Sequence, residues 1–491
     1  MDSANAAASA GITAPSRAGS SRRAMQIFAA ILIVAAALYS FHLGKDALGA
    51  SEAYSAWAAS KPGVAAIVRT PVMDDPGKQV FYYAVLHYYT RIFGLSEVAL
   101  RSMSATLAVV SLLLIFALGR QMFDAETGVA AAAIWAFNPL AIVFAQTARM
   151  YPMFIAISLA HLLTLIRVRS RPSTARAIGC GVLGAAMPYT HMAGLLIVGA
   201  EAAMLLRDFT RGRRDPMVWL AMAIALGLFL PYVPVAARQS HDLMYGHSLD
   251  YLGPAYNYSL TDKVAALAIA AGFGLWLIFG RAVEKDRDEP LRWLVTWAAI
   301  PTLAFVIGSI VLHPMFNPRY LSPGIAATSI LVAGGIGAWS IKWRNLLAAG
   351  FALLCLILSP FARAKPQPWR ELARQVAAGG PAEPVFFESG FVSNGRTANE
   401  PSAGFPFGYY SVVFNYYFRG PNPRVAVPGY DPQSARATIE SRVSAAGGGW
   451  LASWKDGDSV RSELPDAKNF KIVETHREPD LGIYRITPAP R

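Results

Sequence analysis

An isolated carboxylate stands directly after the first hydrophobic run of the chain, in Gly49-Ala50-Ser51-Glu52-Ala53-Tyr54-Ser55-Ala56-Trp57. Other side chains able to bind or transfer a charged group fall in loops at one set of ends of the later runs. Asp74, Asp75 and Lys78 share the loop with Glu52, and Arg101 begins the second run. Gln146, Arg149 and Tyr151 lie between the third and fourth runs, and His191 marks the turn between the fifth and sixth. His241 and His247 follow, and His313, Asn317, Arg319 and Tyr320 lie between the ninth and tenth. A carboxylate within reach of a hydroxyl can orient it or take its proton. Arg and Lys suit phosphate, Arg through its planar fork and Lys as a point charge. Any one of these cations could equally snorkel to ordinary lipid phosphates. Together, in several different loops, they point to a site for an anionic lipid headgroup.

The composition says what kind of frame positions them. Of 491 residues, 54% are hydrophobic and only 15% charged, against roughly 25% charged in soluble domains. Apolar runs of about 16–22 residues recur, which reads as a polytopic α-helical membrane protein. Spans are expected near 25–43, 98–118, 127–145, 152–167, 175–190, 191–207, 218–237, 261–280, 291–312, 321–341 and 345–362, about eleven transmembrane helices in all. Residues 1–24 are rich in Ala, Ser and Gly and read as a disordered tail. The first span is too long for a signal-peptide core and lacks a convincing cleavage site, so it reads as an uncleaved anchor.

Arg120, the groups Arg167 to Arg176, Arg207 to Arg214 and Arg281 to Arg292, and Lys342 with Arg344 fall in alternate loops. The positive-inside rule makes that side cytoplasmic, with the N-terminus, and puts Glu52 and its companions on the far face. The net charge of +13 is then mostly topological, and no nucleic-acid partner is implied. Residues 79–93 are aromatic and short and hold His87 and Arg91. They read as a helix in the outer interface, because counting them as a span would invert the Arg clusters. The transmembrane part is thus 25–363, with 44–97 its first outer loop and interfacial helices.

From about residue 364 the composition changes. A helix is expected at 369–378, strands near 384–388 and 424–427, and a helix from Asp431-Pro432 to about 446. Further strands near 450–454, 470–475 and 482–486 complete a small α/β domain, 364–491, on the outer face.

Other features carry less. Cys180 and Cys355 both fall in apolar runs, and no disulfide is expected. His241 and His247 lack a metal-ligand spacing, so no metal is expected. The glycines at 272, 274, 334, 335 and 337 sit within spans, where small residues let helices pack. Glu201 and His161 lie inside spans, where an ionisable group is a functional hypothesis by default. Both are expected toward the cytoplasmic half, with Glu201 paired to nearby arginines.

Several segments taken in order resemble one family. Ser51-Glu52-Ala53-Tyr54-Ser55 resembles the Asp-Glu motif in the first outer loop of the type C glycosyltransferases. Lys78-Gln79-Val80-Phe81-Tyr82-Tyr83 resembles their Lys/His-Pro-Pro-Leu-Tyr-Tyr segment. Ser96-Glu97-Val98-Ala99-Leu100-Arg101 and Leu118-Gly119-Arg120 are similar to the flanks of their second span. Gln146-Thr147-Ala148-Arg149-Met150-Tyr151 is similar to Gln-x-Ala-Arg-x-Tyr, and Asn317-Pro318-Arg319-Tyr320-Leu321 to a late Arg-Tyr motif. Trp369-Arg370-Glu371 opens the C-terminal domain as theirs opens. The sequence is identified as a member of the protein O-mannosyltransferase and aminoarabinose-transferase group.

The resemblance implies a bacterial inner-membrane enzyme with a periplasmic C-terminal domain. It would move a sugar, with inversion, from a polyprenyl-phosphate donor to an envelope glycan, lipid or protein, without a cofactor. Carried over by motif, it implies Glu52 as the second acid, Lys78 on the phosphate, and Arg149, Tyr151, Arg319 and Tyr320 as binding residues. Asp74, Arg101 and His191 join them by position. The family's first acid is Ser51 here, its Pro-Pro pair is Gln79-Val80, and a Glu is Thr147. Glu52, Asp74 or Asp75 is expected to supply the missing carboxylate. Glu52 is the first candidate to orient or deprotonate the acceptor hydroxyl, and Asp75, three residues before Lys78, is the first place to look for its partner. Two other readings stay open: a catalytically silent relative that binds polyprenyl lipid, and a lipid or sugar transporter.

Overall fold

The computed structural model describes residues 17–69, 79–245, 288–311, 318–336, 367–389, 408–428, 432–453, 457–464, 469–478 and 481–489, with a few single positions. The expected spans at 261–280 and most of 345–362 lie outside the described residues. The helical part begins with α1 (Arg17–Ser40), α2 (Ala50–Ala59), α3 (Val64–Ile67) and α4 (Val80–Phe93). It continues with α5 (Glu97–Met122), α6 (Ala125–Ala136), α7 (Pro139–Ala145), α8 (Tyr151–Ser170), α9 (Thr174–Thr190) and α10 (Gly194–Thr210). Then come α11 (Pro216–Phe229), α12 (Val233–Tyr245), α13 (Asp288–Val311) and α14 (Ser322–Ile336).

Among the described residues, four helical stretches are long and apolar enough to cross a membrane: Arg22–Ser40, Glu97–Met122, Tyr151–Ser170 and Pro216–Gln239. A fifth arises if α6 and α7 are one span, bent by 67°. Residues 127–145, expected as one straight span, therefore break. Pro139 has no N–H and disfavours helix at the residue before it, and Asn138 instead caps α7 through Leu140 N–H at 2.9 Å. Ser96 and Asp124 cap α5 and α6 through the N–H groups of Ala99 and Thr127, satisfying donors that a helix start leaves open. Apolar side chains such as Ile33, Val34, Leu113, Val182, Leu226 and Leu303 stay exposed on the outside of the bundle, as a lipid-facing surface requires. Inside, α5 and α6 nearly touch: a Cβ on Gly119 would sit 2.7 Å from the Cα of Gly128, the close approach small residues permit.

Glu201 departs from expectation. Its carboxylate meets His161 Nε2 at 3.0 Å and accepts from Trp297 Nε1 at 2.8 Å, not from arginine. Arg169 pairs with Asp208 and Asp215 instead. Seven residues into α10, Glu201 lies two turns from the basic helix end, beyond their reach. His161 Nδ1 faces Cys180 O at 2.9 Å, so His161, Glu201 and their partners tie four helices together.

The C-terminal part comprises α15 (Trp369–Ala378), β1 (Val385–Ser389), α16 (Gly408–Tyr417), β2 (Arg424–Pro428), α17 (Pro432–Ala446), β3 (Gly449–Ser453), α18 (Gly457–Glu463), β4 (Phe470–Glu478) and β5 (Leu481–Pro488). The sheet order is β2-β1-β3-β5-β4, with β1 parallel to β2 and β3 and with β5 antiparallel to β3 and β4. Alternate side chains divide it. Phe386, Leu451, Tyr484 and Ile486 join α17 and α18 in one core. Val385, Phe387, Trp450, Ala452 and Ile483 join α15, α16 and, continuously, the helical bundle. The helices α16 and α18 were not anticipated. The first is half aromatic, with Tyr, Val and Phe at most positions and no helical periodicity, and the second is short and polar.

A half-buried pair, Glu383 with Arg485, links the start of β1 to β5. Burial alone would raise the Glu383 carboxyl, but hydrogen bonds and charge from Arg485, with Trp450 and the Gly380 backbone, hold it below its ordinary value. A carboxyl lowered in the folded state contributes stability above its ordinary pKa and loses it on acidification. Thermal unfolding followed from pH 7 to pH 3 is expected to show melting falling more steeply in the native chain than in Glu383→Gln. Parallel curves would show that the pair contributes nothing.

Candidate functional site

Glu52 sits in the first turn of α2 and is 6% exposed. Its Oε2 accepts from Gly49 N–H at 2.9 Å, capping its own helix, and from Arg101 Nη2 at 2.8 Å. Its Oε1 accepts from Arg101 Nε and from Ala148 N–H, both at 2.8 Å. A carboxylate offers about four acceptor positions, and four donors fill them. Arg101, 5% exposed in α5, is equally engaged. Besides Glu52 it donates from Nη1 to Leu43 O and Asp46 O, and from Nη2 to Ala47 O. All five guanidinium N–H groups are thus used within the protein. This pair fastens together the loop after α1, the start of α2, the outer part of α5 and the turn before α8.

That turn brings the next motif in. Arg149, 5% exposed, donates from Nη1 to Ser51 O at 2.8 Å, and its own carbonyl accepts from Ser104 Oγ. Two residues on, Tyr151 opens α8 and stacks on Phe144 with centroids 4.7 Å apart. His191, at the end of α9, packs against Tyr151, Phe154 and Tyr320 at 6.1, 5.2 and 4.9 Å. Its Nδ1 accepts from Ala193 N–H, so the neutral ring carries its proton on Nε2. Arg319 and Tyr320 sit half-buried in the 3₁₀ turn Pro318–Leu321 that leads to α14.

Among the described residues, Glu52, Arg101, Arg149, Tyr151, His191 and Tyr320 therefore gather at one end of the bundle. The clusters ending in Arg120, Arg167, Arg169 and Arg207 lie in the last turns of α5, α8 and α10, at the opposite end. The structure brings Glu52, Arg101 and Arg149 into one network and Tyr151, His191 and Tyr320 into one aromatic group. Asp74, Asp75 and Lys78 lie outside the described residues, as do His247, His313 and Asn317. Some partners were not singled out. Tyr82, on the buried face of α4, lies in the field of Arg149 and Glu52, and burial pushes its phenol up, keeping it a donor. Tyr54 and Trp57 on α2 extend this aromatic wall through Tyr83. Their signal was available in the Tyr-rich segments, but aromatic residues near a membrane surface are common. The Ala148 N–H carries no side-chain signal at all.

Folds of this kind occur among solved structures. ArnT from Cupriavidus metallidurans superposes with a TM-score of 0.60 at 13% identity, over 95% of this chain and 98% of that one. The same protein bound to undecaprenyl phosphate matches with 0.60 at 14%, over 94% and 97%. The Archaeoglobus fulgidus oligosaccharyltransferase tethered to an acceptor peptide matches with 0.53 at 12%, over 87% and 69%. This is the type C membrane glycosyltransferase fold. Residues 75–234 match the family model described as dolichyl-phosphate-mannose-protein mannosyltransferase, a stretch that holds the segments around Lys78, Arg101, Arg149 and His191. No curated protein matches the sequence significantly. In this type C fold the Glu52 network occupies the junction of the first loop with the bundle.

Proposed function

We propose that this protein is an integral-membrane glycosyltransferase that moves a sugar from a polyprenyl-phosphate donor to an envelope glycan, lipid or protein at the periplasmic face of a bacterial inner membrane. The transmembrane part, 25–363, would cross about eleven times, with the N-terminus cytoplasmic and the 364–491 domain outside. The observation that carries the reading is the meeting of three separated motifs, Ser51-Glu52, Arg101 and Ala148-Arg149, at one end of a type C fold.

In this reading the acceptor oxygen attacks the anomeric carbon on the face opposite the phosphate. The C–O bond to phosphate breaks, its electron pair leaves on the phosphate, and configuration inverts. The leaving group already carries charge, so fixed cations stabilise it. Lys78, with Arg319, takes the phosphate; Asp74 joins them on the donor. Asp75 takes the acceptor proton. Glu52 and Arg101 act by position, since their acceptor and donor groups are occupied. Arg149, Tyr151, His191 and Tyr320 line the route beside them.

The test is transfer of label from a polyprenyl-phosphate sugar to membrane extract by the purified protein. Lys78→Ala is expected to weaken donor binding about tenfold or more, the loss of a charge-assisted contact; unchanged donor affinity would remove the phosphate role. A second reading is favoured by Ser51 standing where the family has an acid and by the fully engaged Glu52. The chain would then bind polyprenyl lipid without transfer, and donor binding with no product would be its signature.

A further inference from the structure

The segment between α1 and α2, residues 43–49, has almost no hydrogen bonds to itself. Its carbonyls are taken in turn by two arginines from opposite sides. Arg101, from the bundle below, binds those of Leu43, Asp46 and Ala47. Arg370, from α15 of the C-terminal part above, binds those of Gly44 and Lys45, at 3.0 and 2.8 Å. Five consecutive carbonyls are so held by two guanidinium groups. The next amide, Leu48 N–H, donates to Tyr417 Oη of α16 at 2.6 Å, and Gly49 N–H donates to Glu52.

The upper arginine is itself fixed. Its Nε and Nη2 bind the Glu97 carboxylate at the start of α5, and Tyr417 donates to the same carboxylate at 2.5 Å. Burial first, and then the Glu97 carboxylate, push the Tyr417 phenol up, so the hydroxyl keeps its proton and can donate to Glu97 while accepting from Leu48. Tyr416 donates to Leu95 O, and α16 packs along α2, with Val412, Val413 and Phe414 in the core shared with the bundle. Nothing local demands this. A loop of this length could fold over by its own turns, and the C-terminal part could dock on lipid-facing helices. Instead two of its residues, Arg370 and Tyr417, close on the segment that leads into α2.

We propose that Arg370 and Tyr417 are positioning residues, through which the C-terminal domain sets the place of Ser51, Glu52 and the start of α2. They touch no reacting atom; they act through the backbone of 43–49 as the upper half of a clamp whose lower half is Arg101. The catalytic consequence rests on the glycosyltransferase reading; the clamp itself does not. Misplacement of a site by about 1 Å can cost a hundredfold in rate, so a clamp on the helix that carries the first-loop motif governs turnover more than donor binding.

The experiment is hydrogen exchange by mass spectrometry on the detergent-purified full chain, with transfer assays alongside. Arg370→Ala with Tyr417→Phe is expected to speed exchange across 43–52 about tenfold or more, while protection in β3 and β5 stays, showing that the sheet remains folded. Arg374→Ala, one turn along α15 and facing solvent, is expected to change neither. In the transfer assay the double variant is expected to lose kcat about tenfold or more with the donor KM little changed, and Arg370→Lys to recover part of it. Unchanged exchange across 43–52 with the sheet intact would overturn the clamp. If the double variant loses the sheet, Tyr417→Phe alone, which deletes one hydroxyl, decides in the same way. Absent transfer in the native chain would remove the glycosyltransferase reading and leave the exchange result standing. Faster exchange with unchanged kcat would overturn the positioning role alone.

Discussion

Arg101→Ala is expected to be among the most damaging single changes in the chain, costing about 3–5 kcal/mol of stability, as does removing one partner of a buried ion pair. It would leave Glu52 charged and 6% exposed, with two of its four donors gone. It would also strip donors from the carbonyls of Leu43, Asp46 and Ala47. The measurement is the unfolding midpoint in detergent. A double-mutant cycle sharpens it: Glu52→Gln made in the Arg101→Ala background should cost far less than in the native chain, because the charge that needed compensation is gone. Strict additivity of the two changes would show that the pair does not act as a unit. Arg101→Lys is expected to rescue little, since an ammonium cannot span two carboxylate oxygens and three carbonyls.

The second large effect separates two acids by kind. Asp75→Asn is expected to lower kcat about 10²–10⁴-fold, the usual contribution of general-base catalysis, with the unfolding midpoint unchanged. Glu52→Gln is expected to lower transfer and the midpoint together, because a neutral amide loses the ion pair and its NH2 must turn a donor toward either Ala148 N–H or Gly49 N–H. The two acids thus trade the weights that motif position alone would assign, since Glu52 aligns with the family motif and Asp75 does not. Native-like turnover by Asp75→Asn would refute its role as the base. A full loss in Glu52→Gln with an unchanged midpoint would return the proton-transfer role to Glu52.

Much of the fold was open to reading from residue types. Apolar runs with basic ends marked α1, α5, α8 and α11, because hydrocarbon excludes charge and the pattern is strong over about 20 residues. Strands near β1 to β5 were expected from the sequence, and α17 was marked by its Asp431-Pro432 start. The bend at Asn138-Pro139 was not, although both residues were in view, because hydropathy averages across a break. Helix α16 escaped because Tyr, Val and Phe at most positions show no face; only packing against α2 on one side and the sheet on the other makes it a helix. Glu201 was assigned arginine partners by proximity along the chain, and the fold supplied His161 and Trp297 from other helices.

The candidate site divides in the same way. By itself the sequence determined which side chains could do chemistry, that they lie at one set of helix ends, and which family pattern they resemble, because charge in a membrane chain is sparse and its loop placement is constrained. Only the tertiary structure decided what each charge is used for. Glu52 reads in sequence as a free acid at a membrane exit. In the fold its four acceptor positions are filled by Gly49, Ala148 and Arg101, residues up to 96 positions away. Hydrogen-bond saturation is a property of surroundings, and no residue type announces it. The same holds for Arg370 and Tyr417, more than 300 positions beyond the loop they hold, whose roles exist only where the C-terminal sheet meets the bundle.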